Sequence, residues 1–171
     1  NGIVGGTGEL ESITTNADGT TNLGANITTN GASLTFNDPV VLTGDVHLTE
    51  KGAGDITFGG TVNSDTTARS LTLSGSTADF VFTAAVGTTK ELSSLVLNPL
   101  GSSAANLNGG AVKTTGAQTY WPSTTISVDT TLTASQVELN TSLNGTGDGT
   151  ESLTVDGALQ AGNGSILDQF G

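Results

Sequence analysis

The sequence predicts an all-β protein, a parallel β-helix or solenoid of about seven or eight rungs, and three observations predict it. The apolar residues fall in short alternating runs. Glycine, asparagine and aspartate punctuate the intervals between those runs. The runs themselves recur every 22–24 residues. A chain of 171 residues is long enough for one domain. Charged residues make up only 12% of it, while there are 25 glycines and 31 threonines. Gly, Thr, Ser and Asn are poor helix formers, so a helical protein and a coiled coil are excluded. No run of 18 apolar residues exists to form a membrane-spanning helix.

The alternation is read along the chain in order. Leu34-Thr35-Phe36, Val46-His47-Leu48 and Ile56-Thr57-Phe58 each place two apolar residues on one side of an extended strand and a polar one on the other. Leu71-Thr72-Leu73, Phe80-Val81-Phe82 and Leu95-Val96-Leu97 follow, then Ile126-Ser127-Val128, Val137-Glu138-Leu139 and Leu153-Thr154-Val155. Many short strands separated by turns suit a sandwich, a barrel or a solenoid. The repeat favours the solenoid. Asp55-Ile56-Thr57-Phe58 is matched 24 residues later by Asp79-Phe80-Val81-Phe82, and Phe36 precedes Phe58 by 22. This spacing predicts an aromatic ladder of Phe36, Phe58 and Phe82 and a second inward line of Val40, Val62 and Val86. A longer period of 82–84 residues overlies the short one. Phe36 matches Tyr120, and Leu71-Thr72-Leu73 matches Leu153-Thr154-Val155. The chain therefore reads as one solenoid segment, 1–171, with approximate super-repeats 9–90 and 91–165.

Three phrases carry a family resemblance: Gly54–Val62, Asn108–Tyr120 and Asp129-Thr130-Thr131-Leu132-Thr133. They resemble the repeats of filamentous-haemagglutinin-like large exoproteins and related bacterial β-strand-repeat surface proteins. The resemblance spans about Glu9 to Leu159. It implies a right-handed parallel β-helix, export to the bacterial cell surface or medium, and a stalk or adhesin role with host or cell-surface glycans or proteins as partners. The family supplies no universal catalytic or binding residues. The chain lacks a recognisable signal peptide and looks like an internal segment.

Sixteen acidic against four basic residues give a formal net charge of −12. That balance excludes nucleic-acid binding, because Lys51, Arg69, Lys90 and Lys113 are scattered rather than clustered. No membrane insertion is expected. With no cysteine there is no disulfide and no thiolate metal site. The one histidine, His47, alternates with Val46 and Leu48 and should point outward, without partners in the nearby sequence. No Gly-x-Ser-x-Gly elbow occurs. The expectation is no enzyme, no catalytic residues, no cofactor and no metal. The best loop for weak calcium binding is Gly145–Glu151, which reads instead as a Gly-rich corner. The threonine pairs are too irregular for an ice-binding face. Asp55 and Asp79, stacked one rung apart, read as turn formers.

Trp121 is the one candidate ligand contact. Tyr120 aligns with the core residue Phe36 and should face inward, which turns Trp121 outward, where its indole could stack on a sugar ring. Two rival functions are weighed beside the stalk. One is a self-assembling filament, surface layer or phage fibre. The other is a β-helix polysaccharide-active enzyme, which would need an acid cluster in a groove. At the ends, Asn1–Gly8 has four glycines and makes a poor cap, whereas Ile166–Phe170 is apolar enough to fold over the last rung. An open N-terminal end and end-to-end self-association follow from this.

Overall fold

The structure, a computed structural model, describes residues 4, 5, 7–162 and 167–168. Among these there is no helix, and every strand pairing is parallel. The chain visits three faces in turn and then steps up one level. The first turn runs through β1 (Ile13–Thr14), β2 (Thr21–Leu23) and β3 (Ile27–Thr29), and the second through β4 (Leu34–Phe36), β5 (Val40–Leu42) and β6 (Val46–Glu50). The third uses β7 (Ile56–Phe58), β8 (Val62–Ser64) and β9 (Ser70–Gly75). The fourth uses β10 (Phe80–Phe82), a single bridging residue, Val86, on the second face, and β11 (Ser94–Leu97). The fifth uses β12 (Ala104–Leu107), β13 (Ala111–Lys113) and β14 (Ala117–Tyr120). In the sixth, β15 (Ser123–Ile126) is followed by β16 (Thr130–Leu139), which covers two faces with a register shift between Thr133 and Gln136. In the seventh, β17 (Leu143–Asn144) is followed by the equally continuous β18 (Leu153–Ala161), and β19 (Leu167–Asp168) opens an eighth. Each turn rises by about 4.8 Å, the spacing of hydrogen-bonded strands.

The alternation read from the sequence places one apolar column above another. On the first face Leu34, Ile56 and Phe80 are in register, as are Phe36, Phe58 and Phe82. The three phenylalanine rings stack at centroid distances of 5.3 and 5.1 Å, with interplanar angles of 16° and 10°. On the second face Val40, Val62, Val86 and Val112 line up one per turn. All ten of these residues are buried. Branched and aromatic side chains suit such columns because each packs on a copy of itself one rung away.

Turn lengths vary. Successive register partners on the first face, from Ile13 to Leu34, Ile56, Phe80, Ala105, Thr124, Leu143 and Leu167, are separated by 21, 22, 24, 25, 19, 19 and 24 residues. This corrects the long repeat. Phe36 and Tyr120 lie on different faces, and the residue four turns above Phe36 is Ile126, 90 residues on. Leu71–Leu73 sits on the third face and Leu153–Val155 on the second. An 82–84-residue step lands on another face because the corner loops absorb different numbers of residues. The boundary at 90/91 falls inside the fourth turn.

Some corners demand glycine because backbones nearly touch. Gly87 has φ +71°, and a Cβ there would lie 2.1 Å from the carbonyl oxygen of Lys113 in the next turn. No other residue fits that approach.

Candidate functional site

The corner between the third and first faces builds the site. In the fourth turn this corner spans residues 98–103, six residues between β11 and β12. In the fifth it shrinks to Trp121 and Pro122, and in the sixth to residues 140–142. A long corner protrudes and a short one recedes, so a step forms where they stack. The step is a notch of about 480 Å³ lined by Asp79, Pro99, Ser103, Trp121, Ser123 and Thr141, among others. Leu100, within the long corner, is 70% exposed, and Trp121 is 48% exposed.

Trp121 is held from beneath. Tyr120, immediately before it, is buried, and its hydroxyl donates to Gln118 Oε1 at 2.9 Å. Gln118 Nε2 in turn donates to the carbonyls of Val112 and Thr133, both at 3.0 Å. This network sits in an otherwise apolar column and leaves neither residue unsatisfied. Burial pushes the Tyr120 phenol well above its ordinary value. The Trp121 backbone N–H donates to Leu97 O at 3.1 Å, and its carbonyl accepts the Thr141 hydroxyl at 3.1 Å. Tyr120 thus points inward and Trp121 outward. Tyr120 nonetheless stacks in the column of Leu73, Leu97 and Leu139 and not in that of Phe36.

Asp79 supplies the charge in the notch. Its Oδ1 accepts the backbone N–H of Ala104 at 2.8 Å, and its own N–H donates to Asp55 Oδ1 at 3.1 Å. Asp55 N–H in turn donates to Ser33 Oγ. Each side chain in this column therefore caps the strand start one rung above, which explains how acids stack without a counter-ion: backbone N–H dipoles lie between them. Oδ2 of Asp79 is left for solvent or a ligand. The Ser103 hydroxyl, also in the notch wall, is buried and has no partner among the described residues.

No protein-family model, no curated protein and no solved structure matches this chain. What can be said of the site therefore comes from its own residues.

The other sequence candidates lie elsewhere. His47 is exposed, as its alternation suggests, but it has a partner that the sequence reading missed: its Nε2 lies 2.9 Å from Ser74 Oγ, one turn away. Among the described residues no acid orients its other ring nitrogen, so the contact ties two rungs together. It lines a second groove of about 590 Å³ with Asn26, Thr28 and Thr49, where Lys51 pairs with Glu9. In Gly145–Glu151, Asp148 is occupied by the Thr150 hydroxyl and N–H, which hold its carboxyl below the usual range, and Thr146 donates to Glu151. Among the described residues no three His, Asp or Glu side chains gather as a metal site. The outward column on the first face begins Thr14, Thr35, Thr57 but continues Val81, Asn106, Thr125. Its threonine ladder is broken.

Sequence reading also missed three buried acids. Asp38 accepts the hydroxyls of Thr15 and Thr21, which hold its carboxyl below its ordinary value. Glu50 Oε1 takes the N–H groups of Gly31 and Gly52, both at 2.9 Å. Glu151 is the third.

Proposed function

We propose that this chain is a structural and adhesive segment of a bacterial secreted or cell-surface exoprotein, acting as a stiff stalk. The observation that supports this reading is the unbroken parallel stack, in which every face is hydrogen-bonded from turn to turn. Such a ladder resists bending and leaves few loops for proteases. Its stability is summed from neighbouring turns, so the rod can be lengthened by adding more. The low charge content and acidic surface suit an exposed rod with no affinity for nucleic acid. The phrases that resemble filamentous-haemagglutinin-like repeats point the same way.

The test is location. Antibodies raised against the folded chain should label intact cells that make it, or their medium. Labelling only after the cells are opened would refute the proposal.

A further inference from the structure

We propose that the notch at Trp121 binds a neutral oligosaccharide. The site adds a ligand to the rod and stands whether or not the rod is a stalk.

The argument begins with the indole. A large apolar ring left 48% exposed beside Pro99, in a chain otherwise short of aromatic residues, is an exposed platform. Pyranose rings have an apolar C–H face that packs on such a platform, and equatorial hydroxyls that need both donors and acceptors. The rest of the notch is of that chemistry. Ser123 Oγ accepts the Ser142 hydroxyl and keeps its own hydrogen to donate, while Thr141, whose hydrogen goes to the Trp121 carbonyl, keeps lone pairs to accept. Asp79 Oδ2 is a pure acceptor with no donor among the described residues, and the buried Ser103 hydroxyl behind the same wall has no partner among them. The volume is in the range of small-molecule sites.

The sign of the charge selects among sugars. The notch contains an acid and no base, and the whole chain carries −12. Uronate and sulfated glycans would be repelled. The platform is also preformed, since Tyr120, Gln118 and Thr141 fix the backbone on either side of the indole. Binding then costs little ordering.

The chain has one tryptophan, so its emission reports on this site alone. The full chain is titrated to millimolar concentration with cello-, malto-, manno-, xylo- and N-acetylchito-hexaose, and with hexagalacturonate and a heparin hexasaccharide as anionic probes. At least one neutral probe should give a saturable change in emission, and neither anionic probe should. By calorimetry, Trp121→Ala should bind that probe about tenfold more weakly or worse. Its circular dichroism should be unchanged, because the indole is half outside the fold. Asp79→Asn keeps an oxygen for the Ala104 N–H and removes the charge; it should also bind more weakly. Saturation with no neutral probe, equal affinity in both variants, or anionic binding as tight as neutral would each overturn the proposal. None of these outcomes touches the stalk reading, which is judged by surface labelling.

Discussion

The middle turns and the last complete turn are built from the same kinds of residue in the same columns, yet they bury them differently. On the third face Leu71, Leu95, Gln118, Val137 and Leu159 are in register. The first four are 0% exposed, and Leu159 is 43% exposed. On the second face Val62, Val86 and Leu132 are fully buried, and Val155, in line with them, is only partly covered. The difference is not in the residue but in the neighbour. An interior side chain is covered from below and above, whereas β18 has β16 on one side and, among the described residues, nothing on the other. A solenoid residue therefore owes its burial to the turn that follows it. Stability should be read turn by turn.

The sharpest break of that comparison is Phe58→Ala. Phe58 is sandwiched between Phe36 and Phe82 with no exposure. Removing it leaves a cavity in a rigid stack and should cost about 3–5 kcal/mol. Leu159→Ala, one column of the last turn, should cost under about 1 kcal/mol. Urea denaturation of the two variants measures both. Equal losses would mean that the last turn is covered by something else.

Next in size is Gln118→Leu. The substitution makes the column uniformly apolar, like Leu95 below and Val137 above. It also strands the buried Tyr120 hydroxyl and takes a donor from the carbonyls of Val112 and Thr133, the second of which keeps the Thr114 N–H. Each buried group left unpaired costs about 1–3 kcal/mol, so the apolar gain should not compensate. A variant more stable than the parent in urea would show that the network specifies the column without stabilising it.

These two positions also show what the sequence could and could not reveal. The phenylalanine and valine columns were legible because packing repeats the same residue type at a nearly constant interval. Gln118 was not, because a glutamine in an apolar column becomes sensible only once its three partners are in place, and they come from two different turns. The long repeat failed for a related reason: corner lengths vary, so a step of 84 residues keeps the residue type and loses the face. Trp121 was placed outward by the neighbour rule alone, which holds for any strand. The notch around it was hidden, although the unequal gaps between strands at 98–103 and 121–122 were the signal. The contact of His47 with Ser74 has no local signature at all.

Acid should act on the carboxylates that cap and cross-link turns, with an effect smaller than either core variant. Asp45 accepts the Ser70 N–H, Asp38 the hydroxyls of Thr15 and Thr21, and Asp65 the Arg69 guanidinium, and each carboxyl is held below its ordinary value. A depressed folded pKa gives stability that is present above the unfolded value, about 3.9 for Asp, and is lost as pH falls through the folded one. The melting temperature should therefore be flat from neutral pH to about 5 and fall below about 4. Asp38→Asn should flatten part of that fall. A melting temperature that rises steadily on acidification would show that relief of the −12 charge outweighs the lost caps.

The smallest effect on stability, and the most direct probe of the last turn, concerns its edge. Sequence reading expected a capped C-terminal end and an open N-terminal one; the structure modifies the second expectation, and most of the first falls outside the described residues. At the N-terminal end Val4 and Leu10 bridge to β3, covering one face of the first turn. At the other end β19 continues the first face above β17, and the nine residues of β18 keep an unpaired outer edge among the described residues. The rest of the expected cap, Ile166, Gln169 and Phe170, lies outside the described residues. An unpaired strand edge templates another strand, and β2, open on its outer side among the described residues, is a matching parallel partner from a second copy. The isolated chain should thus associate weakly end to end. The −12 charge opposes contact at low salt, and salt should strengthen it by shortening the screening length to about 8–10 Å at 0.1–0.15 M. Leu159→Asp places a charge on the exposed end column and should abolish the association, with a stability change within about 1 kcal/mol. Sedimentation velocity across a salt series reads the outcome. A strict monomer at high concentration in every buffer would mean that the edge of β18 is already paired within the chain, and the contrast between middle and last turns would then reduce to the side chains alone.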